Sequence, residues 1–339
     1  MQRAAIIGLG PHGKRIAAAL SELPDIQVSA VVDRRQDVLD SCGLLTSVKR
    51  VPSLDDLWTL GTPEIVCIAT NGPTHASIAI EAMKRGVRRL LIAKPMACSL
   101  NECQEILGWA ERTGTRIAVD HVRRHAPGYV WLRDQIAAGR WGAVRCIWTQ
   151  RSGIGLGCLA THSFDAVRYL TGMNVTAVTA WVDAPIAKNP RGSEFVDPGG
   201  LVVLQLDNAR AIVTQIEDGA GPTALEIDLT AGRIRLDERA GVIEVIERDM
   251  SVSPMPGRPA QYQQVDVPQG LSGKVDMHLG LVALLTQLAS VGPLDCDASH
   301  GMASVEVLVA AHLSHHRGNV PIRISGDDSE LQQLWLPVT

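Results

Sequence analysis

Gly8, Gly10 and Gly13 stand at G-x-G-x-x-G spacing between a short apolar run and an alanine-rich segment, and Asp33 follows about twenty residues later at the end of a second apolar run. Glycines at that spacing suit a dinucleotide. Gly8 permits a tight turn after the strand, Gly10 lets the backbone approach a pyrophosphate, and Gly13 lets helix and strand pack closely. The free N–H groups and positive end of the following helix face the phosphates. Pro11 fits its first turn, where a missing N–H costs little. Leu9 and His12 complete the turn, so all six residues from Gly8 to Gly13 are candidate cofactor contacts. Asp33 can accept hydrogen bonds from the adenosine ribose hydroxyls and would repel a 2′-phosphate, whereas Arg34 and Arg35 could stack on adenine or grip that phosphate. NAD is the expected cofactor, with NADP as the alternative. Two further residues have chemistry that a redox site can use. Lys94, at a strand end before Pro95, can hold a hydroxyl by a charge-assisted hydrogen bond. His162 carries an imidazole able to take and return a proton near neutral pH.

These residues need elements to position them, and the first part of the chain alternates strands with helices. Apolar runs at 4–7, 28–32, 64–70, 88–92 and 116–120 read as strands. Helical segments lie near 54–58 and 76–85, and Ser99 with Glu102 forms a capping box for a helix that stops at Gly114. Strands separated by helices of this length imply a parallel, doubly wound α/β sheet, a Rossmann domain over 1–122. After Gly142 the pattern changes. Strand-like runs at 144–151, 175–182, 201–206, 211–216, 224–229 and 242–246 follow one another, several separated by turn signals. Leu225, Ile227 and Leu229 alternate with Glu226 and Asp228, so that strand buries one face and wets the other. An α+β domain with a large, mostly antiparallel open sheet is expected over 123–339, with helices at 275–291 and 302–316 that can pack back on the first domain. The segments 185–198 and 251–268 are rich in Pro, Gly and Ser and read as loops.

Composition narrows the function classes. A net charge of -4 gives no reason to expect a nucleic acid or anionic membrane as partner, and no apolar run approaches membrane-spanning length. A cytoplasmic protein is expected. Its seven cysteines lack C-x-x-C spacing and read as reduced thiols, mostly core filler. His312 and His316 are one helical turn apart but have no visible third ligand, so no metal is expected. His121 and His125 share that spacing near the expected cleft, where substrate contact and a structural role are both open.

Five stretches in order give the chain a resemblance to the glucose-fructose oxidoreductase, inositol dehydrogenase and MocA (Gfo/Idh/MocA) family. They are the glycine turn; Ala69-Thr70 with His75 in the place of A-T-P-x-x-x-H; Ala93-Lys94-Pro95 in the place of E-K-P; Arg123-Arg124-His125-Ala126-Pro127, similar to R-R-x-x-P; and Gly155 to Asp165, parallel to G-x-L-x-D-x-G-x-H-x-x-D. The resemblance implies that Lys94 is the catalytic lysine beside the nicotinamide and that His162 is the general base. It adds Thr70, Asn71, His75 and Lys94 to the cofactor contacts, and places Lys94, Arg124, Cys158 and His162 against substrate. Two departures matter: Ala93 replaces the glutamate before the lysine, and Cys158 replaces the aspartate four residues before the histidine.

The expected function is an NAD(P)-dependent dehydrogenase or reductase acting on a secondary hydroxyl or ketone of a sugar, amino sugar or cyclitol. The departures motivate two rivals, a non-catalytic NAD(P)-binding regulator of the same fold and an imine or enone reductase. The sheet domain of this family commonly presents one face to a partner subunit, so a homodimer or homotetramer is expected.

Overall fold

The computed structural model describes the chain except residues 44–46, 186–188, 190, 218, 220, 222, 250, 253–260, 325–327 and 339, and parts of both expected loops, 185–198 and 251–268, lie outside the described residues. The chain divides into two units, the first made of 1–122, 276–306 and 329–339 and the second of 123–275 and 307–328.

The first unit alternates as β1 (Gln2–Ile7), α1 (Pro11–Ser21), β2 (Ile26–Val32), α2 (Gln36–Asp40), β3 (Lys49–Val51), α3 (Leu54–Thr59), β4 (Ile65–Ile68), α4 (His75–Lys84), β5 (Arg89–Ile92), α5 (Leu100–Thr113) and β6 (Arg116–Val119). All six strands run parallel in the order β3-β2-β1-β4-β5-β6. Helices cover both faces of such a sheet, so its strands are apolar throughout rather than alternating. Ile6, Val31, Val66, Ile68, Leu90 and Leu91 are accordingly sealed from solvent. Ser99 caps α5 by accepting from the Glu102 amide, while Glu102 Oε2 accepts from the Cys98 amide at 2.8 Å. Gly114 ends α5 in the left-handed conformation that a glycine adopts without strain.

The second unit opens with α6 (Pro127–Ala137) and β7 (Val144–Ser152), then α7 (Thr161–Thr171), β8 (Val175–Val182), β9 (Gly200–Leu206), β10 (Arg210–Ile216), β11 (Ala224–Leu229), β12 (Gly232–Asp237), β13 (Val242–Arg248) and β14 (Tyr262–Val265). The chain then forms α8 (Met277–Ala289), α9 (Ala298–His316), β15 (Ile322–Arg323) and α10 (Ser329–Gln333). Nine strands pair in the order β14-β13-β12-β11-β7-β10-β9-β8-β15, antiparallel except for β7 with β10. One face is buried: Ile234 and Leu236 are inaccessible while Arg233 and Arg235, alternating with them, face water.

The second unit does not run unbroken from 123 to 339. Asp276 caps α8 by accepting from the His278 and Leu279 amides, and α8 buries Leu281, Leu284, Leu285 and Leu288 against α1, β5 and β6 of the first unit. Strands β3, β12, β14 and β15 go beyond the sequence expectation. β3 and β15 are very short, β12 carries a charge at every second residue, and β14 exposes Tyr262, Gln263 and Gln264.

One buried ionic cluster ties the second unit together. Arg123 donates to both oxygens of Glu238 at 2.7 Å, Arg151 Nη2 donates to Oε1 at 2.9 Å, and the Tyr129 hydroxyl donates to Oε1 at 2.6 Å. Burial alone would raise the Glu238 carboxyl, but the two guanidinium charges overcome it and hold the group far below the usual carboxylate range. A carboxyl depressed in the folded state stabilises fully above its unfolded value, about 4.3, and loses that contribution as pH falls through the folded value. Glu238→Ala should therefore cost about 3–5 kcal/mol, because it leaves two buried guanidinium groups without their counter-charge. Urea unfolding checks this, and the deficit of the variant should shrink as the pH is taken progressively below about 4.

Candidate functional site

The carboxyl edge of the parallel sheet collects the expected residues of the first unit. Gly8 sits after β1 at φ +91, and a methyl group on it would stand 2.7 Å from the Ala69 carbonyl oxygen. A methyl group on Gly13 would overlap the Gly8 carbonyl oxygen, so α1 starts closer to β1 than any other residue type allows. Gly10 differs from both. Among the described residues a methyl group there meets nothing within 4 Å, so this backbone faces open space at the start of α1. The cradle fits a diphosphate: unbonded helix N–H groups, a bare backbone and room in front of it. Asp33 Oδ2 accepts from the Leu9 amide at 2.9 Å and Oδ1 from the Arg35 amide at 3.0 Å, which pins a carboxylate beside the turn. Arg34 is exposed.

Lys94 and Thr70 lie at the ends of the neighbouring strands β5 and β4, both partly exposed, as is Asn71. Thr74 Oγ1 donates to Thr70 Oγ1 at 2.7 Å. His75, expected among the cofactor contacts, is instead enclosed. Its Nδ1 lies 2.8 Å from the Pro95 carbonyl and its Nε2 3.1 Å from that of Thr70. Burial pushes the imidazole down to about 4 against the pull of the two carbonyls. A neutral ring is left, whose single N–H donates to only one of these two carbonyls, packed at the ends of β4 and β5 beside Lys94.

In the second unit, one π-helical turn, Leu156–Ala160, leads straight into α7 and carries His162 into its first turn, where the residue is buried. Cys158 is buried too. The aspartate that the resemblance leads one to miss at this position has a counterpart elsewhere in the chain. Asp197, ahead of β9, accepts from the Gly157 amide at 2.6 Å through Oδ1 and from the Cys158 amide at 2.7 Å through Oδ2. A methyl group on Gly155 would overlap the Asp197 carbonyl oxygen, so that glycine admits the loop. Arg124, expected against substrate, grips the Asp165 carboxylate of α7 with Nε and Nη2 at 2.7–3.0 Å, both side chains being almost fully buried. It serves as scaffold for the helix that carries His162. Arg151 Nε donates to Ser163 Oγ at 2.8 Å, which joins the next residue of that helix to the Glu238 cluster. Sequence reading missed Asp197, Glu238 and Asp120, the residue after β6, because each meets its partners across long stretches of chain. No local spacing marks them. Among the described residues no group of three His, Cys, Asp or Glu side chains is placed to hold a metal.

Residues 2–121 match the family model Gfo/Idh/MocA, described as an oxidoreductase family with an NAD-binding Rossmann fold. The amino-terminal domain is thus similar to this oxidoreductase family. Among curated relatives, inositol 2-dehydrogenase from Streptomyces avermitilis is 29% identical over 213 residues, covering 57% of this chain and 60% of its own length. The rhizopine catabolism protein MocA of Rhizobium meliloti is 28% identical over 188 residues, covering 51% of this chain and 58% of its own length. The chain thus spans about three-fifths of the length of these curated relatives. Among solved structures, GenD2 from gentamicin A biosynthesis in complex with NAD superposes with TM-score 0.77 at 21% identity, covering 96% of this chain and 97% of that one. The WlbA dehydrogenase from Bordetella pertussis, in complex with NADH and UDP-GlcNAcA, gives TM-score 0.77 at 18% identity, covering 96% and 99%. These likenesses show that both units follow the architecture of known oxidoreductase structures. Among the described residues no helix is long and apolar enough to cross a membrane.

The two inner glycines of the turn make separable predictions. Gly13→Ala should lower stability by about 1–3 kcal/mol, since the backbone must shift to admit the methyl group. Gly10→Ala should leave thermal unfolding nearly unchanged while weakening NAD binding about tenfold or more, because its methyl group occupies the space in front of the cradle. Calorimetric titration alongside thermal melts checks both.

Proposed function

We propose that the protein is an NAD-dependent dehydrogenase, or reductase in the reverse direction, acting on a secondary hydroxyl or ketone of a sugar, amino sugar or cyclitol. The observation that carries the reading is the carboxyl edge of the first unit, where an open glycine cradle, a pinned Asp33 and a partly exposed Lys94 follow one another along adjoining loops. The pinned carboxylate beside the turn favours NAD over NADP, because a 2′-phosphate would meet a fixed negative charge. When bound, the nicotinamide supplies the acceptor for the carbinol hydrogen, which leaves with its electron pair.

The chain's own groups handle the proton. His162 takes the hydroxyl proton in the oxidising direction and returns it in reduction. Lys94 donates a hydrogen bond to the same oxygen and steadies its developing negative charge. The neutral brace of His75 holds the Lys94-Pro95 backbone, and Asp197 with Arg124 holds the turn and helix that present His162. Polar, hydroxyl-rich substrates suit this reading, as do the names of relatives such as inositol 2-dehydrogenase and of neighbours crystallised with a nucleotide sugar.

The same reading assigns the open face of the nine-stranded sheet to a second copy of the chain. Trp148 and Trp181 are about half exposed there, and Ile212 and Val203 lie cross-strand between β7 and β8 on the same side. Exposed indoles on a flat strand surface are unusual for a monomer. Trp148→Glu should shift the protein to a smaller species in analytical ultracentrifugation.

The activity is tested by mixing the protein and NAD with a panel of cyclitols, sugars and amino sugars and following the near-ultraviolet absorbance of the reduced nicotinamide. Lys94→Ala and His162→Ala should each lower kcat/KM by about 10²–10⁴-fold while NAD affinity in the His162 variant stays near wild type. Full activity in both variants would remove the two assignments.

A further inference from the structure

The strand order puts β1 and β6 three strand spacings apart, about 14 Å, with the ends of β4 and β5 between them. His12 nevertheless reaches from the turn after β1 to Asp120, the residue that follows β6, and its Nε2 lies 2.8 Å from Asp120 Oδ2. The pair therefore crosses the carboxyl ends of β4 and β5. The Asp120 amide donates to the Ile92 carbonyl at 3.1 Å, which fixes this carboxyl next to the stretch that continues into Ala93 and Lys94.

Its two oxygens are treated differently. Oδ2 faces the His12 imidazole, whereas Oδ1 is buried and, among the described residues, has no hydrogen-bond partner. Burial raises the carboxyl, but His12 in the first place, then His121 and Lys94, outweigh it and draw it below its ordinary range. A buried, ionised oxygen without a donor is costly and marks a place where a donor is expected to arrive.

The direction from which that donor comes follows from topology. Asp33 at the end of β2 lies on one side of the cradle, and β4, β5 and β6 lie on the other. A dinucleotide with its adenosine at β2 and its diphosphate at β1 extends its nicotinamide half toward β6. That half carries donors, the ribose hydroxyls and the carboxamide N–H groups. We propose that Asp120 is a binding residue for the nicotinamide half of the dinucleotide, with Oδ1 accepting a hydrogen bond from it and His12 holding the carboxylate in position. Asp120 thereby supplies from β6 the carboxylate that Ala93 does not supply from β5. This rests on the NAD reading of the glycine turn.

Titration calorimetry on the full chain tests it, with NAD and ADP as separate probes, since ADP lacks the nicotinamide half. In Asp120→Ala the affinity for NAD should fall about tenfold or more while that for ADP stays within about twofold. Asp120→Asn retains an acceptor oxygen and should lose less, and His12→Gln should fall between wild type and Asp120→Ala for NAD alone. Unchanged NAD affinity in Asp120→Ala overturns the proposal, and so does an equal fall for NAD and ADP in both Asp120 variants, which marks a general loss of the fold. If the wild-type chain binds neither probe, the dinucleotide reading itself fails and this inference falls with it.

Discussion

The approach of α1 to β1 at Gly13 and Gly8 sets the geometry on which the rest of the first unit depends. With no side chain at Gly13, the first turn of the helix lies against the Gly8 carbonyl, and the unbonded N–H groups of that turn are brought to the end of the sheet. The same closeness orders what surrounds it. The Leu9 amide comes within reach of Asp33, and His12 projects across the edge toward Asp120. A helix standing farther out would leave both carboxylates without these partners, and Asp120 would lose its nearest counter-charge. A steric fact about two glycines thus becomes an electrostatic fact about two aspartates.

Carboxylates recur in this chain at positions reached through the fold rather than through local sequence. Ala93 and Cys158 both stand where the family pattern has an acidic residue, which read alone suggests a weakened site. The structure tells a different story for the second of them. Asp197 accepts from two consecutive amides at the start of the helical segment carrying His162, so negative charge is still present at that helix N-terminus, where it is stabilising. It now comes from the loop before β9 and serves the backbone instead of projecting from the turn.

The sequence made the parallel sheet, its glycine turn and the capping of α5 legible, because each is written in contiguous residues with a local physical signature. Burial on both faces makes those strands apolar from end to end, and a cap needs only Ser99 and Glu102 three residues apart. The second sheet was legible as a series of strands but not in its order. β12 carries arginines on its wet face, so its charge hides a strand that only cross-strand partners such as Ile227 and Val245 reveal. The amphipathic pattern of α8 already marked it as a helix able to pack back on the first domain, and the structure places it there. For the site, position was more legible than use. Lys94 stands at the strand end expected of it, whereas His75 and Arg124, read as contacts, are engaged by carbonyls and by Asp165.

That division has a physical cause. A residue's capacity for chemistry is a property of its side chain and can be read one letter at a time, but whether the capacity is available depends on which partners the fold brings within 3 Å. His75 shows how far the two can diverge. An imidazole able to shuttle protons near neutral pH is sealed between two carbonyls, with its pKa pushed down to about 4, and its remaining role is mechanical. Its single N–H donates to the Pro95 or the Thr70 carbonyl, and the buried ring packs against the backbone that carries the lysine. Lysine is a flexible side chain that loses much rotamer freedom when ordered. Holding its backbone rigid leaves only the side chain to be ordered when substrate arrives, and a buried neutral histidine provides that rigidity without adding a second positive charge that would repel the ammonium group.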